Sequence, residues 1–204
     1  KVTIKSASLS LDNEISIKVY NGIENVCVGQ DSHSVTDQTQ GNWNGIIGKM
    51  ELQAHQQQYI RNLQVYPDVK GKQIKVVMDV TGDARKADFQ FDVSGVKHSL
   101  SKIKRESDGK ISVIIPMGED IRLWDEFHPN LYTLTATLGK ESFSTTFGMS
   151  EISIEGRQFY MNGKKIWMRG TVGNCCFPET GYPPTDEASW LRIFRKCKEY
   201  GLNM

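Results

Sequence analysis

Gly156-Arg-Gln-Phe-Tyr-Met-Asn-Gly-Lys-Lys-Ile-Trp-Met-Arg-Gly-Thr171 decides how this chain is organised. Two short apolar runs, residues 159–161 and 166–168, flank Asn162-Gly163. Asn-Gly between apolar runs is the strongest short-range signal for a two-residue type I′ hairpin, because both turn positions need positive φ. The second run stops at Arg169-Gly170, where glycine lets the backbone turn. A loop with three prolines and the adjacent Cys175-Cys176 follows, then a segment with helical periodicity. Hairpin, strand, long loop and helix is how a βα unit begins. Everything upstream has a different pattern, so the stretch marks a change of architecture.

Composition bounds the rest. The chain has 204 residues, 38% hydrophobic and 24% charged, as expected of a soluble globular protein. A net charge of +1 gives no general attraction to nucleic acid or anionic membranes. No apolar run approaches the ~20 residues of a membrane helix. Neither nucleic acid nor membrane is therefore an expected partner. Cys27, Cys175, Cys176 and Cys197 contain no Cys-x-x-Cys pair, and the four histidines complete no zinc spacing. Free thiols, no metal and no cofactor are expected. A chain that starts Lys-Val-Thr-Ile and stops Leu-Asn-Met reads as a piece of a longer protein, so the lack of a signal peptide does not place the parent.

Residues 1–55 read as strands. Ile15, Ile17 and Val19 alternate with polar neighbours, and 46–52 form a second apolar run. Between them, 30–44 is almost wholly polar, with Trp43 its one large apolar residue. Two readings stand: a hairpin loop pinned by Trp43, or a glycan-facing loop in which Trp43 stacks on a sugar while Asp37 and Asn42 accept its hydroxyls.

Residues 56–150 carry seven candidate strands, 59–66, 73–80, 87–93, 96–103, 110–115, 131–138 and 142–147, separated by turn signals such as Pro67-Asp68, Ser94-Gly95 and Gly139-Lys140. Seven short strands without helical period predict an immunoglobulin-like sandwich. The alternation places Ile74, Val76, Met78, Val80, Phe89, Phe91, Val93, Ile111, Val113, Ile115, Leu134, Ala136 and Leu138 in its core. Trp124 is expected to plug one end of it. Glu119, Asp120, Asp125 and Glu126 read as solvated loop acids, not as a catalytic pair.

In the last part, Thr185 or Asp186 caps a helix after Pro183-Pro184. Ile193, Phe194, Cys197 and Tyr200 form its apolar stripe. Lys196 and Lys198 favour its C-terminal dipole, and Gly201 follows as the C′ residue.

Several spaced elements together resemble glycoside hydrolase family 2, the β-galactosidases, β-glucuronidases and β-mannosidases. They are Phe147-Gly148-Met149, then Phe159-Tyr-Met-Asn-Gly-Lys-Lys-Ile-Trp-Met-Arg-Gly170, then Lys198-Glu-Tyr-Gly-Leu-Asn203. Gly41-Asn-Trp-Asn-Gly-Ile-Ile-Gly-Lys-Met-Glu-Leu52 is similar to the last strand of that family's jelly-roll. Residues 121–132 are similar to its middle-domain Leu-Trp…Leu-Tyr segment, with Asp125 and Glu126 in place of a small residue and a proline.

The resemblance implies a mainly β fold. It consists of an immunoglobulin-like β-sandwich (56–150) flanked by jelly-roll remnant strands (1–55) and a truncated first βα unit of a TIM barrel (151–204). Active sites of such barrels form at the C-terminal ends of the strands. Arg169 and Asn174, in the loop 169–184, thereby join Asp37, Asn42 and Trp43 as substrate-binding candidates. Val172 and Asn174 stand where the common family pattern has Asn and His, which points to a specialised branch.

Retaining glycosidases need two carboxylates ~5–5.5 Å apart. The family places both glutamates on later barrel strands, so no catalytic residue is expected here. The implied parent hydrolyses β-galactoside-like bonds with retention and takes a carbohydrate substrate; its compartment stays open, with a periplasmic or extracellular bacterial one favoured. Exposed edges of the truncated domains would favour a homo-oligomer. The alternative is a non-catalytic bacterial sandwich that binds glycan or protein.

Overall fold

The structure is a computed structural model and describes residues 10–20, 45, 46, 48, 50–82, 87–96, 103–106, 110–173, 177 and 179–204. The chain divides into two compact units. One comprises Leu52–Gly170 with Gly201–Met204, the other Lys1–Glu51 with Thr171–Tyr200.

Among the described residues the first unit holds ten strands: β1 (Ile60–Asp68), β2 (Gln73–Val80), β3 (Phe89–Val93), β4 (Lys104–Arg105), β5 (Ile111–Pro116), β6 (Tyr132–Leu138), β7 (Glu141–Phe147), β8 (Ile152–Glu155), β9 (Gln158–Met161) and β10 (Lys164–Ile166). β1-β2-β5-β4 form one antiparallel sheet and β3-β6-β7 a second. Lettered in chain order, these are A-B-E-D and C-F-G, the strand order of a constant-type immunoglobulin sandwich.

The period-two pattern produces this arrangement. Ile74, Val76 and Met78 face inward from β2, Ile111, Val113 and Ile115 from β5, Phe89, Phe91 and Val93 from β3, and Leu134, Ala136 and Leu138 from β6. All are buried; Val80 is half-buried against the same core. Each fully buried aliphatic side chain contributes about 1.5–3 kcal/mol. Tyr132 opens strand β6, and its hydroxyl accepts the backbone N–H of Arg122 at 2.8 Å. That is the tyrosine-corner arrangement of immunoglobulin sandwiches.

Two expectations for the sandwich are corrected. Pro67-Asp68 does not turn: β1 runs through Asp68, with Pro67 opposite Ile74. β1 is an edge strand, where a residue without an N–H is tolerated. The turn comes one step later and is fixed by Asp68, whose carboxylate accepts Gly71 N–H at 2.8 Å. The strand expected at 96–103 is absent at its described ends, Val96 and Ile103. Strand β4 instead starts at Lys104 and pairs with β5.

Strands were also expected in residues 1–55, and none occurs among the described residues there. Ile15, Ile17 and Val19 are 64%, 53% and 52% exposed. Alternation makes a strand only where a neighbouring strand takes up its N–H and C=O groups. Residues 52–59 instead lead into the sandwich. His55 stacks on Tyr59 at 4.0 Å and its Nδ1 lies 3.2 Å from the Glu141 carboxylate, which also accepts the Gln56 N–H.

Beyond β7, strands β8, β9 and β10 form an antiparallel meander with β10 at its edge. Met161 pairs with Lys164 across a two-residue turn, Asn162 and Gly163, with φ of 51° and 75°. Positive φ at both positions is the expected type I′ pattern. The strand expected at 166–168 lies two residues earlier: β10 ends at Ile166 and pairs with β9.

In the second unit, α1 (Glu187–Glu199) is capped by Asp186, whose side chain accepts Ser189 N–H at 2.8 Å. Trp190 stacks on Phe194 and packs edge-on to Phe177. The apolar stripe of α1 is not core here. Ile193 and Cys197 are half-buried, while Phe194 and Tyr200 are exposed. An amphipathic stripe becomes core only against a facing element, and no helix residue is buried.

Candidate functional site

Asp37, Asn42, Trp43 and Asn174 lie outside the described residues. Arg169 is the candidate whose surroundings are visible. They are built by the connection between β5 and β6, the end of β10 and the last residues of the chain.

The β5–β6 connection is held in place along its length. Leu123 bridges Met149, and Trp124 N–H donates to Met149 O at 2.9 Å. The Trp124 ring lies over Gly148. A Cβ added there would sit 2.7 Å from Trp124 Cβ and Cγ, so only glycine admits the ring. Half-buried Trp124 therefore closes against β7 much as an end plug would. Asn162, at the hairpin turn, donates from Nδ2 to Trp124 O and accepts Glu151 N–H on Oδ1, each at 2.9 Å. This one side chain ties the turn to the sandwich. Asp125 Oδ1 accepts the N–H groups of Phe127 and His128 at 2.9 and 2.7 Å, while Asn130 donates to Leu123 O at 2.9 Å.

This frame presents Glu126 to Arg169. Nη2 of Arg169 donates to both Glu126 carboxylate oxygens, at 3.0 and 2.9 Å. Nε donates to Gly201 O at 2.6 Å. Arg169 N–H donates to Asn203 Oδ1 at 2.8 Å, and Asn203 Nδ2 donates to Trp167 O at 3.0 Å. Arg169 O accepts Asn203 N–H at 2.8 Å. Arginine suits such a site because its planar fork serves several acceptors at once.

The Arg169 hydrogen bonds, with help from the Asn203 amide, hold the Glu126 carboxyl below its ordinary range, against a smaller opposing effect of desolvation. Asp125 is likewise lowered, chiefly by the His128 N–H. Both shifts run opposite to that of a general acid, whose pKa must rise. Neither is poised to act as a general acid.

The lowered Glu126 carries a pH dependence. A carboxylate depressed in the folded state gives stability that is complete above its unfolded pKa and lost as pH falls through the folded value. The proton shift of the Arg169 Nη2–H group that bonds Glu126 should therefore titrate with a midpoint below that of a free glutamate. A midpoint at or above that of a free glutamate would contradict the pairing.

Sequence reading dismissed Glu126 as a solvated acid and gave Asn203 and the Asn162 side chain no role. Asn162 and Asn203 both sat inside quoted motifs, so the signal was present at the level of the motif. Glu126 gave none, because its partner is 43 residues away.

Residues 58–149 match the sequence model of Glycosyl hydrolases family 2, almost the extent of β1–β7. A β-galactosidase of Staphylococcus xylosus is 31% identical over 122 residues, 58% of this chain and 11% of that protein. The β-galactosidase large subunit of Latilactobacillus sakei is 24% identical over 153 residues, 70% of this chain and 24% of that protein. The chain thus spans a quarter or less of these relatives. In a solved structure, a β-glucuronidase of an uncultured Clostridium sp. is similar in fold. Its TM-score is 0.51 at 21% identity, over 72% of this chain and 25% of that one. Sandwich topology, the motifs around Trp124 and Asn162, and these matches agree: the sandwich, residues 58–149, matches glycoside hydrolase family 2, and the findings support reading the chain as a fragment of a protein of that family.

Proposed function

We propose that the complete protein carrying this chain hydrolyses β-galactoside-like bonds with retention of configuration, and that these 204 residues supply its framework rather than its catalytic groups. The observation that carries the reading is the coincidence of the family match with the sandwich, in a chain whose relatives include β-galactosidases. Retention requires a nucleophilic carboxylate and a general acid/base carboxyl. Neither role suits Asp125 or Glu126, which are tied down by hydrogen bonds. On this reading the segment after β10 lies on the substrate side, since loops after barrel strands form the active site. A carbohydrate is then the ligand of the residues around it, Arg169 and Asn174 among them.

The test is stereochemical. Proton NMR of a nitrophenyl β-galactoside mixed with the complete protein should show β-galactose appearing first and α-galactose later, by mutarotation. Appearance of α-galactose first, or no hydrolysis, would overturn the reading.

A further inference from the structure

The chain leaves the first unit at Gly170 and re-enters it at Gly201, and both points are fixed by one residue. Arg169 binds Gly201 O through Nε. Its backbone exchanges hydrogen bonds with Asn203, and its carbonyl also accepts Met204 N–H at 3.3 Å. Gly170 packs so closely on Met204 that an added Cβ would lie 2.7 Å from Met204 Cγ. The base of the excursion 171–200 is therefore a closed knot of backbone. The Arg169 guanidinium is held in turn by Glu126; Asp125 and Asn130 brace the Glu126 loop internally, and Leu123 and Trp124 tie that loop to Met149 after β7.

We infer that Glu126 is a positioning residue of the complete enzyme: acting through Arg169, it makes the sandwich set where the substrate-side segment leaves and rejoins the chain. This rests on the functional reading above. A sandwich that only spaced its neighbours would need no charged side chain aimed at the end of β10. Misplacement of a substrate-positioning segment by a fraction of an ångström lowers turnover more than affinity, since reacting groups must meet at close range.

In the complete protein, Glu126→Gln should lower kcat about tenfold while KM changes less than about twofold. Arg169→Ala should give at least as large a loss, and the double variant should be no slower than Arg169→Ala alone, because Glu126 acts only through Arg169. Glu141→Gln breaks the ion pair with His55, away from Arg169, and should leave kcat unchanged. Wild-type kinetics for Glu126→Gln, losses that multiply in the double variant, or an equal loss in Glu141→Gln would overturn the inference.

A second readout does not depend on activity. In the 204-residue chain, Glu126→Gln should speed hydrogen exchange of the Arg169 and Asn203 amides about tenfold. Unchanged exchange would overturn the clamp. An inactive wild-type enzyme would sink the functional reading, and the exchange result would then decide the clamp alone.

Discussion

Leu134→Ala should destabilise the sandwich by about 3 kcal/mol, the middle of the range for a buried leucine. Leu134 lies at the centre of β6 with no exposed surface, opposite Val93 on one side and Thr145 on the other. Its side chain meets the inward residues of both sheets, so the lost methyl groups leave a void that neither sheet can close alone. A domain of this size is stabilised by about 5–15 kcal/mol in total, so the loss is a large share of it. Urea unfolding should show a midpoint lowered by roughly 1–3 M, given a slope of about 1–3 kcal/mol per M. Leu131, just before β6, is 56% exposed, and Leu131→Ala should stay within about 0.5 kcal/mol. Equal effects from the two would mean that the inward face has been assigned wrongly.

Gly148→Ala should cost about 1–3 kcal/mol through overpacking. The new Cβ would meet Trp124 Cβ and Cγ at 2.7 Å, contacts that no side-chain rotation relieves because the first is the atom beside the backbone. The Trp124 backbone cannot retreat without loss. Its N–H is bonded to Met149 O and its carbonyl to Asn162 Nδ2. Moving it would strip the hairpin turn of its tie to the sandwich. In a double-mutant cycle, Trp124→Ala should absorb most of the Gly148→Ala penalty, because the clash disappears with the ring. Additive losses, or a Gly148→Ala variant as stable as the parent, would contradict the close packing.

The legible and illegible parts of the fold follow from the range of the forces involved. β2, β3, β5 and β6 were readable because burial of one face imposes a period of two on each strand separately. The Asn162-Gly163 turn was readable because positive φ at two adjacent residues narrows the choice of amino acid. Pro67 misled because a proline signals a turn unless the strand lies at a sheet edge, and edge position is a property of the whole sheet. Ile15, Ile17 and Val19 misled for a related reason. They carry a strand's pattern, but the pattern cannot report whether a partner strand is present. Arg169 was singled out as a substrate ligand by its place after β10. The hydrogen bonds of its guanidinium to Glu126 and Gly201 were not legible beside that reading, since they join residues 43 and 32 apart in sequence. Such pairings leave no periodic trace.

The central proposal is that this chain supplies the β-framework of a family 2 glycosidase and that hydrolysis depends on residues outside it. Turnover of an aryl β-galactoside should be measured side by side for the purified 204-residue chain and the complete protein that contains it. The account predicts hydrolysis by the complete protein and none above background by the shorter chain. Turnover by the 204-residue chain itself would contradict it.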